Sequence, residues 1–313
     1  MVRLIGLRLA AFVPTLLATS VVLFIAVNVV PGSAAKAPLG IDATPQALAR
    51  FEHDQGMDRP LHVQYLEWLG KALHGHFGTS FQNHLPVGPE LLKRLPVTLE
   101  LALLAFIVAN AVAVPCGAIA ARFHQQRLDY IATLMATILG AVANFWLATL
   151  LILIFALKLR ILPAGGYVSI AENPIRNLSL MILPALSLGL VSSALLLRIM
   201  RAGKIEVLVS DYIRTAVAKG AATSRVVWHH ALRNALIPFL TVGAVEFGWL
   251  FGGVVIIEDI FLLPGVGQLV LVGIINRDYP ILLASTLTVT VVVLTATCWS
   301  MSWPASSIRA RSM

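Results

Sequence analysis

The sequence predicts an all-α protein that crosses a membrane six times. Three observations carry this expectation. Of 313 residues, 58% are hydrophobic and only 12% are charged, whereas a soluble domain is nearer a quarter charged. The mean hydropathy is +0.86. The apolar residues are also gathered into six runs, at 9–30, 96–121, 129–157, 178–200, 235–257 and 281–303. Each is long enough for the roughly 20 residues that a helix needs to span a bilayer core.

The first run follows "MVRLIGLR", a basic opening that a signal peptide would share, and Ala35-Lys36-Ala37 resembles a cleavage site. A signal peptide's apolar stretch is only about 7–15 residues. Here it extends from Leu9 to Val30, with Asn28 its one polar residue near the end, so a retained helix is expected. Residues 1–30 are then a terminus plus the first span. Residues 31–95 form a cap segment on the far side, 96–303 hold five spans, and 304–313 form a tail. The cap contains "TPQALARFEHDQG" and "PLHVQYLEWLGKAL". In the second, Leu61, Tyr65 and Trp68 fall on one face at helical spacing, as if to pack on the membrane part.

Orientation follows from the basic residues. Six spans put both termini on one side. With the termini inside, 13 of the 23 Lys and Arg lie in the cytoplasm: two before the first span, two between the second and third, seven between the fourth and fifth, and two after the sixth. That excess follows the positive-inside rule, so the formal net charge of +8 reads as topology rather than as a nucleic-acid surface.

Several chemistries are missing. Gly70-Lys71 and Gly203-Lys204 are followed by Ala72 and Ile205, so the chain has no phosphate-cradling loop of the G-x-x-x-x-G-K-[S/T] kind. It has no H-E-x-x-H and no G-x-S-x-G, and no cofactor site is expected. Cys116 and Cys298 lie in apolar runs and read as packing residues. His74, His76 and His84 could in principle ligate a metal. Their spacing is poor for a helix and no Cys or acid completes the set, so they read as loop residues.

The intramembrane acid Glu246 lies mid-span in "VGAVEFGWLFGGVV". A charge there costs a few kcal/mol unless it faces a cavity or partner. It reads either as part of a translocation path or as a protonated or hydrogen-bonded structural residue. Gly248 and Gly252 form a small-x-x-x-small step that permits close helix packing. Glu100, nearer an interface, is expected to snorkel or to pair with Arg94.

The most informative stretch is "DYIRTAVAKGAATSRVVWHHALRNALIP", residues 211–238 within a 201–238 insert. Burying Arg214, Lys219, Arg225 and Arg233 at mid-bilayer would cost about 2.5–3.5 kcal/mol each, so the insert belongs in water or at a protein surface. Ser210 or Asp211 can cap a first helix, Gly220 can end it, and Thr223 or Ser224 can cap a second that runs towards Pro238. A compact, basic helical hairpin suits a docking surface.

These residues resemble the EAA loop of ABC-importer permeases, and "DYIRTAVAKG" followed by "HALRNALIP" is similar to its form in the dipeptide/oligopeptide/nickel family. The general Glu-Ala-Ala falls on Arg214, Thr215 and Ala216 ahead of Gly220. The later I-x-L-P falls on His230 to Arg233, so the first acid and the proline are replaced. "VVPGSAA", "MDRPLHVQYLEWLGKALHGHFGTSF", "LPVTLELAL", "GGVVIIEDIFLLPGVGQLV" and "NRDYPIL" also look like that family, in the right order. Ser33 and His76 stand where an Asp is usual, and the tail lacks the usual Asp-Pro-Arg. The resemblance implies a type I permease fold with a cytoplasmic coupling helix, forming half of a pore in a bacterial inner membrane. It implies a homologous second permease, two ATPase subunits or one fused ATPase that bind ATP and Mg, and an extracytoplasmic substrate-binding protein. Arg214, Thr215, Ala216, Lys219, Gly220 and Arg225 would touch the ATPase. The implied cargo is a di- or oligopeptide, with nickel, haem and glutathione as alternatives inside the family. An ion-coupled secondary transporter is the rival from another class. It would be expected to show intramembrane acid pairs and broken half-helices, and only Glu246 is suggestive.

Overall fold

The computed structural model describes residues 2–29, 44–210 and 232–309. Ten α-helices run along the described chain: α1 (Val2–Val29), α2 (Pro45–Asp54), α3 (Leu61–Leu73), α4 (Val87–Arg122), α5 (Arg127–Ala141), α6 (Asn144–Leu151), α7 (Pro174–Val209), α8 (Leu232–Ile260), α9 (Val266–Ile275) and α10 (Tyr279–Arg309). The described residues hold no strand beyond one isolated bridge between Thr79 and Pro86. The fold is all-α, as the composition requires.

Local chemistry sets many of the helix ends. Thr44 caps α2 by accepting the Ala47 N–H at 3.3 Å, and Asn173 caps α7 by accepting the Arg176 N–H at 3.0 Å. In both, a proline follows at the first helical position, where its missing N–H costs nothing. Helices α2 and α3 end alike, on Gly56 and Gly75, with φ of +67° and +76°. In each, the next N–H turns back to a carbonyl of the last helical turn, Met57 to Glu52 at 2.7 Å and His76 to Lys71 at 2.9 Å. This closure needs a left-handed residue, which glycine supplies without a Cβ clash. Helix α8 closes in the same way through Leu262, at φ 54°, with the Leu263 N–H donating to Glu258 O at 2.8 Å.

Five helices are long and apolar enough to cross a bilayer, and the bent pair α5–α6 makes a sixth. The third span departs from expectation. Read as one run over 129–157, it turns by 100° between Ala141 and Asn144. Val142 and Ala143 take extended backbone there, and the second limb finishes in a π-helical turn, Ile152–Lys158. The second span starts earlier than the apolar run at 96. Its added turns at 87–95 carry polar side chains, among them Glu90 and Arg94, paired at 2.7 Å, which hold a helix outside the hydrocarbon. Helix α8 begins at Leu232 and runs through Pro238 without ending. The short apolar helix α9 was not predicted.

The chain forms two compact units. One comprises 99–263 with 295–309. Its centre is α7, of whose apolar window 67% is buried, packed on α5, α6 and α8. Its core joins Ala109 and Ala113 of α4, Ala136 of α5, Leu196, Leu197 and Met200 of α7, and Phe239 of α8, with Cys116 packed against them. Small residues let α4 and α7 touch. A Cβ on Gly189 would stand 2.5 Å from the Ala105 carbonyl oxygen. The other unit comprises 2–98 with 264–294. There Val87 and Leu91 pack with Val266, Leu269, Ile281 and Ala284. Phe24 and Val27 of α1 pack with Leu283, Tyr65 and Trp68. The α3 face expected to pack therefore does so through Tyr65 and Trp68, while Leu61 stays half exposed.

Candidate functional sites at the foot of the polar insert and along the spans

Arg214, Thr215, Ala216, Lys219, Gly220 and Arg225 lie outside the described residues. What is described is the ground on which their segment stands. Helix α7 delivers the chain to Ser210, whose hydroxyl donates to Val207 O at 2.5 Å, and α8 takes it up again at Leu232.

Two turns before that exit, α7 carries Arg201 and Lys204. Arg201 grips Asp129 in bidentate fashion, Nε to Oδ1 at 2.5 Å and Nη2 to Oδ2 at 2.8 Å. The Asp129 side chain is 3% exposed. It also accepts the Gln125 N–H at 2.9 Å and lies 3.1 Å from His124 Nδ1. Its place in the first turn of α5 adds the favourable field of a helix N-terminus. Lys204 is fully buried, and its ammonium donates to Ala118 O on α4 at 3.1 Å. A paired, hydrogen-bonded charge is the form in which burial is tolerated. The cluster fastens α4, the 123–126 turn and α5 to α7. In the sequence, Arg201 and Lys204 enter only as positive charges that set topology, and Asp129 goes unremarked. The signal was there in part, since a lone acid in a basic loop that faces a basic helix end is a pairing waiting to be made.

Glu246 sits half-buried on α8. Its chain neighbour Phe247 lies edge-on between Phe106 and Phe251, at centroid distances of 5.3 and 5.6 Å. The glycine step differs from expectation. Gly248 is buried, but a Cβ on Gly252 would meet nothing within 4 Å. The tight approach of α8 falls one residue on, at Gly253, where a Cβ would stand 2.7 Å from Asn144 Nδ2 and 2.8 Å from Leu188 Cδ2. One residue rotates a helix by about 100°, enough to move a contact to another neighbour.

Glu100 also has another partner than expected. Its Oε2 accepts the Tyr167 hydroxyl at 3.0 Å, while Arg94 bonds Glu90 and Gln268. Burial, helped by the nearby carboxylate, pushes the Tyr167 phenol up to about 12. In the other unit, buried Asp278 accepts the Ser80 hydroxyl at 2.5 Å and, through its other oxygen, the Ile281 N–H at 3.4 Å. It thereby caps α10 and pins the 80–86 loop. His74 Nδ1 lies 2.8 Å from Gly70 O. Among the described residues, no three of His, Cys, Asp and Glu gather as a metal-holding group.

A bundle of apolar helices interrupted by a basic insert, with buried polar contacts between spans, is the architecture of a polytopic membrane transport component. Comparison with known proteins gives the family. The chain belongs to the family described as "Binding-protein-dependent transport system inner membrane component", which matches residues 113–303. The N-terminal region of the membrane component of the same kind of transport system, described as "Binding-prot-dependent transport system membrane comp, N-term", matches residues 1–102. A putative peptide transport system permease protein of Brucella suis is 38% identical over 90% of each chain. The dipeptide transport system permease protein of Alkalihalophilus pseudofirmus is 34% identical over 90% of this chain and 91% of its own. The glutathione transport system permease protein of Salmonella choleraesuis is 35% identical, covering 90% and 89%. Among solved structures, an amino acid ABC transporter with histidines covers 71% of this chain and 94% of its own, with a TM-score of 0.48 at 14% identity. The chain is a multi-pass permease component of an ABC transport system.

Proposed function

We propose that this permease forms half of the translocation pore of an ATP-driven importer of short peptides. The observation that carries the reading is the agreement of its relatives. Permeases named for peptide and dipeptide transport align over nine-tenths of the chain. The chemistry of the chain is consistent with a subunit that moves solute and leaves ATP and Mg to others. The partners would be a second, homologous permease, two ATPase subunits or one fused ATPase, an extracytoplasmic binding protein and the surrounding lipid. The family's description points to an inner membrane, and the excess of basic residues favours both termini in the cytoplasm. Arg214, Thr215, Ala216, Lys219, Gly220 and Arg225 would meet the ATPase, and the Asp129–Arg201 and Lys204 contacts support that segment from below. Glu246, half-buried on α8, would line the path. A glutathione permease among the relatives keeps that tripeptide among the cargo candidates.

The test is Gly220→Val in the reconstituted transporter. In the left-handed, helix-ending position that the sequence predicts for Gly220, a β-branched residue would cost about 1 kcal/mol or more and would displace the docking helix. Substrate-stimulated ATP hydrolysis and peptide uptake should fall together, with the chain still inserted in the membrane. Full assembly and coupled hydrolysis in the variant would exclude the docking role. Uptake by the purified chain alone on an ion gradient would exclude the importer reading.

A further inference from the structure

A cavity of about 340 Å³ opens within the 2–98 and 264–294 unit. That size falls in the range of ligand pockets, roughly 300–1,000 Å³. It would hold about ten waters at the liquid volume of some 30 Å³ each. The end of α1, the α2–α3 region, the loop after α3 and the start of α10 enclose it.

Its walls are unequal in chemistry. Aromatic rings supply part of the lining. Phe24 lies tilted against Trp68 at 6.2 Å between centroids, and Phe81 against Tyr279 at 6.4 Å. The lining also carries opposite charges one helical turn apart on α3, both at its solvent-exposed edge. Glu67 is held by Arg59, Nη1 to Oε1 at 2.5 Å, which leaves a second carboxylate oxygen able to accept. Lys71, four residues on, has no acid within 4 Å among the described residues. Residues so spaced lie about 5–6 Å apart at Cβ. Trp68 adds a third element. Among the described residues its buried indole N–H has no hydrogen-bond partner. A buried orphan donor calls for an explanation, and an absent ligand is one.

An acceptor for ammonium, a cation and an indole donor for an anion, and aromatic walls between them describe one kind of guest. We propose that this cavity binds a small zwitterion bearing an apolar group, its ammonium on Glu67 and its anionic group on Lys71 and the Trp68 N–H. The helical spacing suits charges about one extended residue or two apart, since each residue spans roughly 3.3–3.6 Å. A dipeptide meets that description, and so does an ethanolamine phospholipid headgroup. The proposal leans on the peptide-importer reading only for its first probe.

The experiment uses the full chain in nanodiscs. Radiolabelled phenylalanylalanine is titrated in discs of phosphatidylglycerol, which lacks an ammonium, and again in discs that contain phosphatidylethanolamine. Saturable binding in the first, weakened at least tenfold by Lys71→Gln and by Glu67→Gln and restored by Lys71→Arg, supports a soluble zwitterion. Binding that the ethanolamine lipid displaces, with enrichment of that lipid around the wild type but not the two variants, supports the headgroup as the source. The N-acetylated, C-amidated dipeptide should not bind. Trp68→Phe should keep the walls and lose several-fold in affinity. If neither zwitterion binds, or if binding ignores both charge substitutions, the proposal is wrong. ATP-dependent uptake by the reconstituted transporter is measured in parallel. Uptake without binding at the cavity overturns the cavity alone, and binding without uptake overturns the importer reading alone.

Discussion

Replacing Arg201 by methionine removes the cation from a carboxylate that is almost sealed from solvent. Asp129 keeps the Gln125 N–H and the His124 contact but loses two charge-assisted bonds, at 2.5 and 2.8 Å. Such bonds contribute about 1.5–3 kcal/mol each, and removing one partner of a buried pair costs about 3–5 kcal/mol. The two figures agree, so a loss of about 4 kcal/mol is expected. Each kcal/mol moves Tm by about 2–4 °C in chains of 150–250 residues and by less in this chain of 313, which puts the drop at several degrees, up to roughly 16 °C. Thermal unfolding of the detergent-solubilised chain, followed by intrinsic fluorescence, measures it. The double variant Arg201→Met with Asp129→Leu should recover most of the loss, because an apolar pair in place of a buried ion pair is often neutral. A single variant that melts within about 2 °C of the wild type would refute the reasoning. So would a double variant that melts as low as the single.

Three further outcomes are expected. Gly189→Val drives a side chain into the Ala105 carbonyl and Val108, so α4 and α7 must separate. Overpacking of this kind costs about 1–3 kcal/mol or more, and size-exclusion chromatography should show aggregation or a lower melting point. Leu262→Gly should stabilise. Leu262 is 68% exposed at φ 54°, and relief of about 1–2 kcal/mol of left-handed strain exceeds the roughly 0.4–1 kcal/mol that glycine adds to unfolded-chain entropy; an unchanged or lower Tm would contradict this. Tyr167 favours its neutral form in the folded chain, with its phenol pushed to about 12. Its contribution is therefore complete below about pH 10, the ordinary tyrosine value, and is lost as the pH rises through 12. Absorbance near 295 nm should show a late tyrosinate step that Tyr167→Phe abolishes, and persistence of that step in the variant would assign it elsewhere.

The legible part of this protein was what is written locally. Apolar runs of span length gave away the five spanning helices and the bent pair α5–α6, and Thr44-Pro45 and Asn173-Pro174 are local cap signals of the same legible kind. The break at Val142–Ala143 was hidden because no proline marks it, and Gly140 just before it is one glycine among 22. Pro14, Pro184 and Pro238, by contrast, all sit inside helices that continue. In a bundle, neighbouring helices decide where a span bends, and a single sequence does not display its neighbours. The same holds for Asp129 and Arg201, 72 residues apart, and for Glu100 and Tyr167, 67 apart. Sequence showed the charges but not their pairing. Gly252 against Gly253 is the finest case. Both are visible as glycines, and only the azimuth of α8 distinguishes open space from contact.

The length of α7 has a mechanical consequence. Its 36 residues make a rod of about 54 Å at 1.5 Å per residue, while a bilayer core is about 30 Å thick. The rod therefore reaches well past the hydrocarbon towards the polar insert. Such a rod alone would act as a lever pivoting where Gly189 touches α4, and could swing or rattle at its far end. The Lys204 and Arg201 anchors remove that freedom by clamping the long arm to α4 and α5. The end of α7 that leads into the insert is therefore part of a three-helix block with α4 and α5, and not a free rod.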